Sequence, residues 1–206
     1  MKTFVFIDAS NLFYGGEKSL GWKIDYQKLL NYLKDKYNAS KFLYFGGVEI
    51  YDFQYDYLDN ETVPLLDVYE FLLKKIEDED KNLDEALLTL LSRHISRIKF
   101  YIKIKQFGYE LHLKPVKRYH QEDMIKRKAN CDVDMAFHLM QQKDKFDRVI
   151  ILSGDGDFLP ILKHLKELKK EVVILARSER TAKEIRQFAG SNFRDFEYLK
   201  YILEME

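Results

Sequence analysis

The sequence contains little cysteine and proline and no long apolar run, and each absence excludes a class of protein. The single Cys131 excludes an internal disulfide, and three prolines beside 46% hydrophobic residues argue against disorder. No apolar run approaches the roughly 20 residues that span a bilayer. The apolar segment before Asp8 is too short for a signal peptide. We therefore expect one soluble, cytoplasmic domain of 206 residues with no membrane contact.

The chain also has no net charge at pH 7, but its charged residues are distributed unevenly. Residues 1–48 carry 7 basic and 4 acidic side chains, residues 49–85 carry 3 and 13, and residues 86–206 carry 24 and 17. The three blocks therefore have charges of +3, −10 and +7. An anionic partner would be attracted to the last block and repelled by the middle one.

Strand-like and helix-like segments alternate along the chain. Short apolar or alternating segments predict strands at 3–7, 41–48, 109–116, 149–152 and 171–176. Apolar residues at helical spacing predict helices after Asp25, after Pro64, over 83–102, over 131–142, after Pro160, and near 181–188 and 196–203. Right-handed crossovers between such elements predict an α/β three-layer sandwich with a mainly parallel sheet.

The acidic segment 49–108 does not fit a simple strand and helix alternation. Its two predicted helices indicate a helical insertion within the single domain. The apolar residues from Leu83 to Ile102 lie at helical spacing and suggest a surface for a homodimer or a protein partner. A coiled coil is a rival use of these helices, but the pattern covers too few heptads to favour it.

Aspartates follow the predicted strands at the edge where open α/β sheets bind ligands. Asp8 ends the first strand, Asp155 and Asp157 follow the strand at 149–152, and Asp132 begins the helix 131–142, whose apolar positions are 133, 136, 137 and 140. Several converging carboxylates need a cation, and oxygen ligands suit Mg²⁺ or Mn²⁺. Such an ion typically activates water for phosphodiester hydrolysis.

A structural role is the alternative for each aspartate. Asp8 could cap a turn or helix, and Asp155 and Asp157 could be turn and N-cap residues. Asp132 and Asp134 lie in a helical first turn, where the macrodipole alone favours carboxylates. Asp134 is the weaker candidate, because it points to another part of the helix surface.

A cluster of cations lies between Lys114 and Lys128, in a segment predicted to be a polar loop. With Tyr119 and His120 among the cations, the segment suits a nucleic-acid backbone and its bases, although a solvated loop explains it as well. The candidate RNA contacts are Lys117, Arg118, Lys126, Arg127 and Lys128.

Three blocks of the sequence resemble the NYN domain family, a PIN-like group of metal-dependent ribonucleases that includes bacterial LabA-like proteins. The first is Phe6-Ile-Asp8-Ala-Ser-Asn11-Leu12, an Asp followed three residues later by Asn. The second is Lys128-Ala-Asn130-Cys-Asp132-Val-Asp134, and the third and most specific is Ser153-Gly-Asp155-Gly-Asp157-Phe158. Their order and spacing agree with the family across nearly the whole chain.

The resemblance implies a PIN-like sheet, Mg²⁺ or Mn²⁺, and single-stranded or structured RNA as substrate. It implies that Asp8, Asp132, Asp155 and Asp157 are metal-site carboxylates. Asn11 would orient Asp8 and the scissile phosphate, and Ser153 would hydrogen-bond a carboxylate or phosphate. Asp134 and Asn130 are candidates for supporting the metal ligands.

The leading hypothesis is therefore a metal-dependent endoribonuclease that uses a metal-activated water. Two alternatives are an RNA-binding or regulatory scaffold with little turnover, and a metal-dependent phosphohydrolase of small phosphate esters.

Overall fold

A computed structural model describes residues 1–13, 21–78, 84–121 and 124–206, with the main chain alone at 78, 118–121 and 124–128. The chain forms two compact units. The first contains residues 1–45 and 132–206, and the second contains residues 46–131.

A parallel sheet forms the centre of the first unit. Its strands are β1 (Thr3–Asp8), β2 (Ala39–Val48), β6 (Arg148–Leu152), β7 (Glu171–Ala176) and β8 (Phe193–Asp195). The pairings β2–β1, β1–β6, β6–β7 and β7–β8 are all parallel. β1 and β6 are almost entirely buried, as expected for apolar strands covered on both faces.

Helices of the first unit connect these strands. They are α1 (Ala9–Asn11), α2 (Tyr26–Tyr37), α5 (Asp132–Gln142), α6 (Leu159–Glu167), α7 (Lys183–Ala189) and α8 (Lys200–Leu203). α2 begins where Asp25 accepts hydrogen bonds from the main-chain N–H groups of Gln27 and Lys28, as the sequence predicts. It ends at Asn38, which has a φ of 53°.

The strand order places a topological switch point between β1 and β6. Through these five strands the sheet runs β2-β1-β6-β7-β8, so the chain moves outward from β1 to β2 and in the opposite direction from β6 through β7 to β8. Right-handed crossovers in opposite directions put helices on both faces of the sheet. The predicted α/β sandwich with a mainly parallel sheet is therefore confirmed. Ligands of such sheets bind at the carboxyl ends of the strands beside the switch point.

The second unit contains two helices and the remaining strands. They are α3 (Leu65–Asp78), α4 (Glu85–Phe107), β3 (Glu110–Pro115), β4 (Lys117–Gln121) and β5 (Met124–Lys128). β2 continues into this unit with its last residues. α4 ends at Gly108, whose φ of 111° needs glycine. The described helices of the chain include none that is long and apolar enough to cross a membrane.

The apolar face of α4 is largely buried within the chain. Leu91, Ile95 and Ile98 are buried, and α3 packs against α4. Leu88 remains partly exposed, whereas Leu83 lies outside the described residues. The homodimer or partner surface therefore stays a prediction, and Leu91, Ile95 and Ile98 of that surface are already used in the core.

Two predictions about elements are wrong, and one strand was not predicted. Residues 117–121 and 124–128 form an antiparallel strand pair where a loop was predicted, because main-chain hydrogen bonds hold such a pair together whatever the polarity of its side chains. Within α5, Met135 and Leu139 are buried, whereas Val133 and Phe137 face solvent, so two of the four predicted apolar positions do not pack in the core. The short strand β8 was not predicted, and a 3-10 turn at Phe196–Leu199 precedes the last helix.

Candidate functional site

Asp8 ends β1 at the switch point, and its side chain is only 6% exposed. One carboxylate oxygen, Oδ1, accepts hydrogen bonds from the main-chain N–H groups of Ser10 (2.9 Å) and Asn11 (3.1 Å). The other, Oδ2, accepts one from the Ser153 hydroxyl at 3.1 Å. The capping role considered for Asp8 therefore exists, and Ser153 contacts a carboxylate as the resemblance implied.

The environment of Asp8 changes its acidity. The pKa of this carboxyl group is raised from 3.8 to about 6, mainly by burial and to a smaller extent by the negative charge of Asp132. The hydrogen bonds from Asn11, Ser153 and Ser10 act in the opposite direction, because they favour the ionised form. Two of the predicted metal-site carboxylates, Asp8 and Asp132, are thus close enough to interact electrostatically.

One further hydrogen bond connects the residues after β1 to the loop after β6, and another lies within that loop. The Asn11 amide oxygen accepts a hydrogen bond from the main-chain N–H of Gly154 at 3.1 Å. The N–H of Asp155 donates to the Ser153 hydroxyl at 3.3 Å. The first and third sequence blocks are therefore in direct contact, and Asn11 uses its carbonyl oxygen to hold them together.

Asp155 and Asp157 lie in a tight turn between β6 and α6. Asp155 caps the 3-10 turn Gly156–Phe158, since its Oδ1 accepts a hydrogen bond from the N–H of Asp157 at 3.0 Å. Asp155 is half-buried and Asp157 is exposed. Helix α6 follows at once, with Pro160 in its first turn, where proline is well tolerated.

The segment after β7 packs on this turn, a contact that the sequence analysis missed. The N–H of Ala182 donates to the carbonyl of Gly154 at 2.9 Å. A Cβ atom at Gly154 would lie 2.6 Å from Thr181 Oγ1 and 2.8 Å from Thr181 Cα, and one at Gly156 would meet the Glu184 carboxylate. The pair of glycines was the available signal, because glycine often marks a close approach of another segment.

A buried arginine fixes the segment that contains Thr181. Arg177 follows β7 and forms ion pairs with Asp195 (3.3 Å), Glu179 (3.1 Å) and Glu197. The Thr181 hydroxyl donates to the carbonyl of Arg177 at 2.8 Å. These contacts therefore fix the segment after β7 where it packs against the turn that contains Asp155 and Asp157.

The second sequence block is only partly described at the site. Asp132 and Asp134 occupy the first turn of α5, and both are half-buried. Asn130 is exposed and belongs to the second unit. The roles of Asp134 and Asn130 therefore stay predictions.

The predicted RNA contacts lie in the β4–β5 hairpin. Lys117 places its Nζ atom 5.1 Å from the centre of the Tyr57 ring. The side chains of Arg118, Lys126, Arg127 and Lys128 lie outside the described part of the structure. Their role also stays a prediction.

The donor chemistry at the switch point suits a hard cation. Asp8 and Asp132 supply carboxylate oxygens, and a buried carboxyl group with a raised pKa is one whose charge a cation would compensate. Among the described residues, however, no three Asp, Glu, His or Cys side chains form a group compact enough to hold a metal.

A solved structure shares this fold, and another aligns more weakly. A solved protein of unknown function from Vibrio parahaemolyticus aligns with a TM-score of 0.62 and 16% identity, covering 98% of this chain and 95% of that one. A structure of T5 5′-exonuclease with bound zinc aligns with a TM-score of 0.45 and 14% identity, covering 90% of this chain and 60% of that one.

Sequence comparison identifies the family. The low amplitude and bright protein LabA of Synechococcus elongatus is 21% identical over 203 residues, covering 97% of this chain and 86% of that protein. The family model of the NYN domain matches residues 2–197. The three sequence blocks predicted this assignment, and the chain belongs to the NYN domain family.

Proposed function

We propose that this protein is a divalent-metal-dependent ribonuclease that hydrolyses phosphodiester bonds within RNA. The observation that carries the proposal is the buried Asp8 carboxyl group, which interacts with Asp132 and Ser153 beside the switch point and has its pKa raised to about 6. A carboxyl group buried beside another has an evident use in binding a cation and little use in stabilising the fold. Membership of the NYN domain family supports the same reaction class.

In this proposal Asp8, Asp132, Asp155 and Asp157 hold Mg²⁺ or Mn²⁺. When bound, the ion would supply a Lewis acid that activates water and offsets the charge of the scissile phosphate. Hydrogen bonds fix Asp8 in one orientation, because Ser10, Asn11 and Ser153 donate to both of its oxygens. Asn11 also holds the main chain of Gly154 beside β1, so it acts as a positioning residue.

The β4–β5 hairpin supports RNA as the substrate. Its register places Lys117 opposite Lys128 and Arg118 opposite Arg127. Like charges directly opposite each other destabilise a strand pair, and the phosphates of a bound nucleic acid would offset this repulsion. The hairpin is therefore the proposed contact for the RNA backbone.

A cleavage assay on circular and linear RNA tests the proposal. We expect Mg²⁺ or Mn²⁺ to support cleavage of both forms and EDTA to abolish it, since an endonuclease needs no free end. Asp8→Asn and Asp155→Asn should each lower kcat by about 100-fold or more, because each removes a proposed metal ligand. The exposed Asp35→Asn is the matched control and should cleave at the parent rate. Undiminished cleavage by both site variants would exclude the mechanism.

A second candidate is an RNA-binding scaffold with little turnover. It is favoured by the lack, among the described residues, of a preformed group of three metal-binding side chains. RNA retained at low salt without cleavage in Mg²⁺, Mn²⁺ or Zn²⁺ would support this candidate. Turnover of p-nitrophenyl phosphate without cleavage of RNA would instead indicate the small-ester phosphohydrolase.

A further inference from the structure

An open cavity lies between α3, α4 and β3 in the second unit. Its volume is about 680 Å³, within the roughly 300–1,000 Å³ of typical ligand pockets. The apolar walls come from all three elements: Leu65 and Leu66 in the first turn of α3, Ile102 on α4, and Leu111 and Leu113 on β3. Every residue that lines the cavity belongs to the second unit, so that unit forms the cavity by itself.

One edge of β3 is partly covered by the chain itself. The N–H of Val63 donates to the carbonyl of Leu113 at 3.0 Å, and the N–H of Leu113 donates to the Thr62 hydroxyl at 2.8 Å. Just after β3, the N–H of Val116 donates to the Val48 carbonyl at 2.9 Å. Main-chain groups of a strand face its two edges alternately, so these two sets of hydrogen bonds lie on opposite edges.

The covered part of the edge ends beside the cavity. Among the described residues, the hydrogen bonds of residues 62 and 63 with β3 all go to Leu113. Pro64 has no N–H to continue the pairing, and α3 begins directly after it. Leu111 lies two residues before Leu113, so its N–H and C=O groups face the same edge. Because Leu111 also lines the cavity, an extended chain lying there would reach these groups.

The rim of the cavity is acidic on balance. Asp67 and Glu110 supply two carboxylates, and Lys105 supplies one ammonium group. All three side chains are exposed. The segment 49–85, which contains Asp67, carries a charge of −10. A ligand with cationic groups beside an apolar group would therefore complement both the rim and the walls.

We propose that this cavity binds an extended peptide in which apolar residues are flanked by lysine or arginine. The peptide adds a strand beside Leu111, an apolar side chain enters the cavity, and the cations lie near Asp67 and Glu110. In strand addition, main-chain hydrogen bonds supply affinity and side-chain pockets supply specificity. A peptide suits the site better than an apolar small molecule, which would cover the main-chain groups of Leu111 without pairing them. This proposal does not rest on the proposed ribonuclease function.

Binding of fluorescein-labelled Lys-Val-Leu-Val-Lys-amide, measured by fluorescence anisotropy, tests the site. We expect the parent to bind this peptide more tightly than Glu-Val-Leu-Val-Glu-amide with the same label. Methylation of one main-chain nitrogen at a time should weaken binding by about 2- to 10-fold at alternate positions, because only every second N–H faces β3. Hydrogen exchange of the Leu111 N–H, followed by NMR, should slow when the peptide is bound.

A leucine variant tests the apolar wall. Leu66→Ser should weaken binding by about 5-fold or more, because it removes apolar surface from the cavity. Leu88→Ser is the matched control, since Leu88 is an exposed leucine on α4 that does not line the cavity. Both leucines are exposed, so both variants should keep the thermal unfolding midpoint of the parent.

A charge reversal tests the acidic rim. Asp67→Lys leaves the rim with one carboxylate and two ammonium groups, so it should reverse the preference between the two peptides. Glu70→Lys makes the same charge change at an exposed position of α3 outside the cavity and should keep the preference of the parent.

Three outcomes would overturn the proposal. If neither peptide binds the parent at about 1 mM, the peptide site is excluded. If the lysine peptide binds but Leu66→Ser and main-chain methylation leave its affinity unchanged, it binds elsewhere and the site is again excluded. If Leu66→Ser changes the sedimentation of the protein alone and leaves peptide affinity unchanged, the cavity is a contact between copies of the chain. RNA cleavage is measured separately, because none of these residues belongs to the proposed metal site.

Discussion

At the level of a single residue, burial and hydrogen bonding have opposite effects on the pKa of Asp8. Burial favours its neutral form, whereas the hydrogen bonds from Ser10, Asn11 and Ser153 favour its ionised form. Burial has the larger effect, so the folded protein holds a proton on Asp8 more tightly than the unfolded chain does. Ionisation of Asp8 therefore lowers the folding stability, and a bound cation would offset this loss.

The pH dependence of stability follows from this shift. The folded pKa of about 6 lies above the ordinary 3.8, so the stabilisation linked to Asp8 is complete below pH 3.8 and is lost as the pH rises through 6. At 1.36 kcal/mol per pKa unit, the loss is about 2 to 3 kcal/mol. We expect metal-free Asp8→Asn to lack this loss and to be more stable than the parent at neutral pH. Urea unfolding in EDTA, on both sides of the window from pH 3.8 to 6, measures the difference.

The exposed Asp35→Asn provides the control for the removal of one negative charge. It should follow the parent at every pH. Parallel stability curves for the parent and Asp8→Asn would show that Asp8 titrates normally and would contradict the assigned burial effect.

At the scale of elements, the turn between β6 and α6 depends on two glycines with different neighbours. A methyl group at Gly154 would collide with main-chain and side-chain atoms of Thr181, which is buried and held by Arg177. A methyl group at Gly156 would meet the end of the exposed Glu184 side chain, which can rotate away. The same substitution at the two glycines therefore compares a collision with fixed atoms to a collision with a movable side chain.

We expect Gly154→Ala to lower the free energy of unfolding by about 1 to 3 kcal/mol, because the neighbouring main chain has to shift. Gly156→Ala should lower it by less than about 1 kcal/mol, because a rotamer change of Glu184 relieves the contact. Urea denaturation of the two variants measures the difference. Equal losses of unfolding free energy in the two variants would show that the whole segment from Thr181 to Glu184 shifts to accommodate either methyl group.

Sequence patterns predicted the elements that carry the first and third blocks. β1, β6 and α6 are uniformly apolar or clearly amphipathic. The resemblance implied a carboxylate or phosphate as the partner of Ser153, without identifying Asp8. The proximity of Thr181 to Gly154 could not be predicted, because it joins residues far apart in the chain. β8 was missed because three half-buried residues have no recognisable period, and only their pairing with β7 defines the strand.

The orientation of α5 was ambiguous for a different reason. The helix carries two apolar stripes of similar strength, and periodicity identifies a helix without showing which stripe faces the sheet. In the β4–β5 hairpin, polarity was taken as a sign of a loop, although strand pairing depends on the main chain. Both errors concern segments, α5 and the β4–β5 hairpin, that carry more apolar or charged side chains than packing of the core requires.

At the scale of the whole molecule, the zero net charge conceals a strong separation of charge. The segment 49–85 carries −10 and the segment 86–206 carries +7. If the hairpin contacts RNA phosphates, affinity should fall steeply with salt, because binding releases counterions.

We expect the double variant Arg118→Ser, Arg127→Ser to reduce the slope of log K against log salt by about 1.4, at about 0.7 per lost phosphate contact on a single strand. Lys143→Ser, Lys145→Ser removes the same charge from a surface of the first unit and should leave the slope unchanged. Titrations of single-stranded RNA at several salt concentrations measure the slopes. Equal reductions in the two double variants would indicate a general charge effect and no specific hairpin contact.

The hydrogen bond from Ser153 to Asp8 spans 145 residues of sequence, and β1 can pair with β6 only after both have been synthesised. Because Asp8 and Ser153 are far apart in the sequence, a growing chain on the ribosome lacks one side of the site until both residues have been synthesised. Contacts of such long range also form slowly during folding. Under the proposed function, such a chain would be unable to cleave RNA before β6 has joined β1.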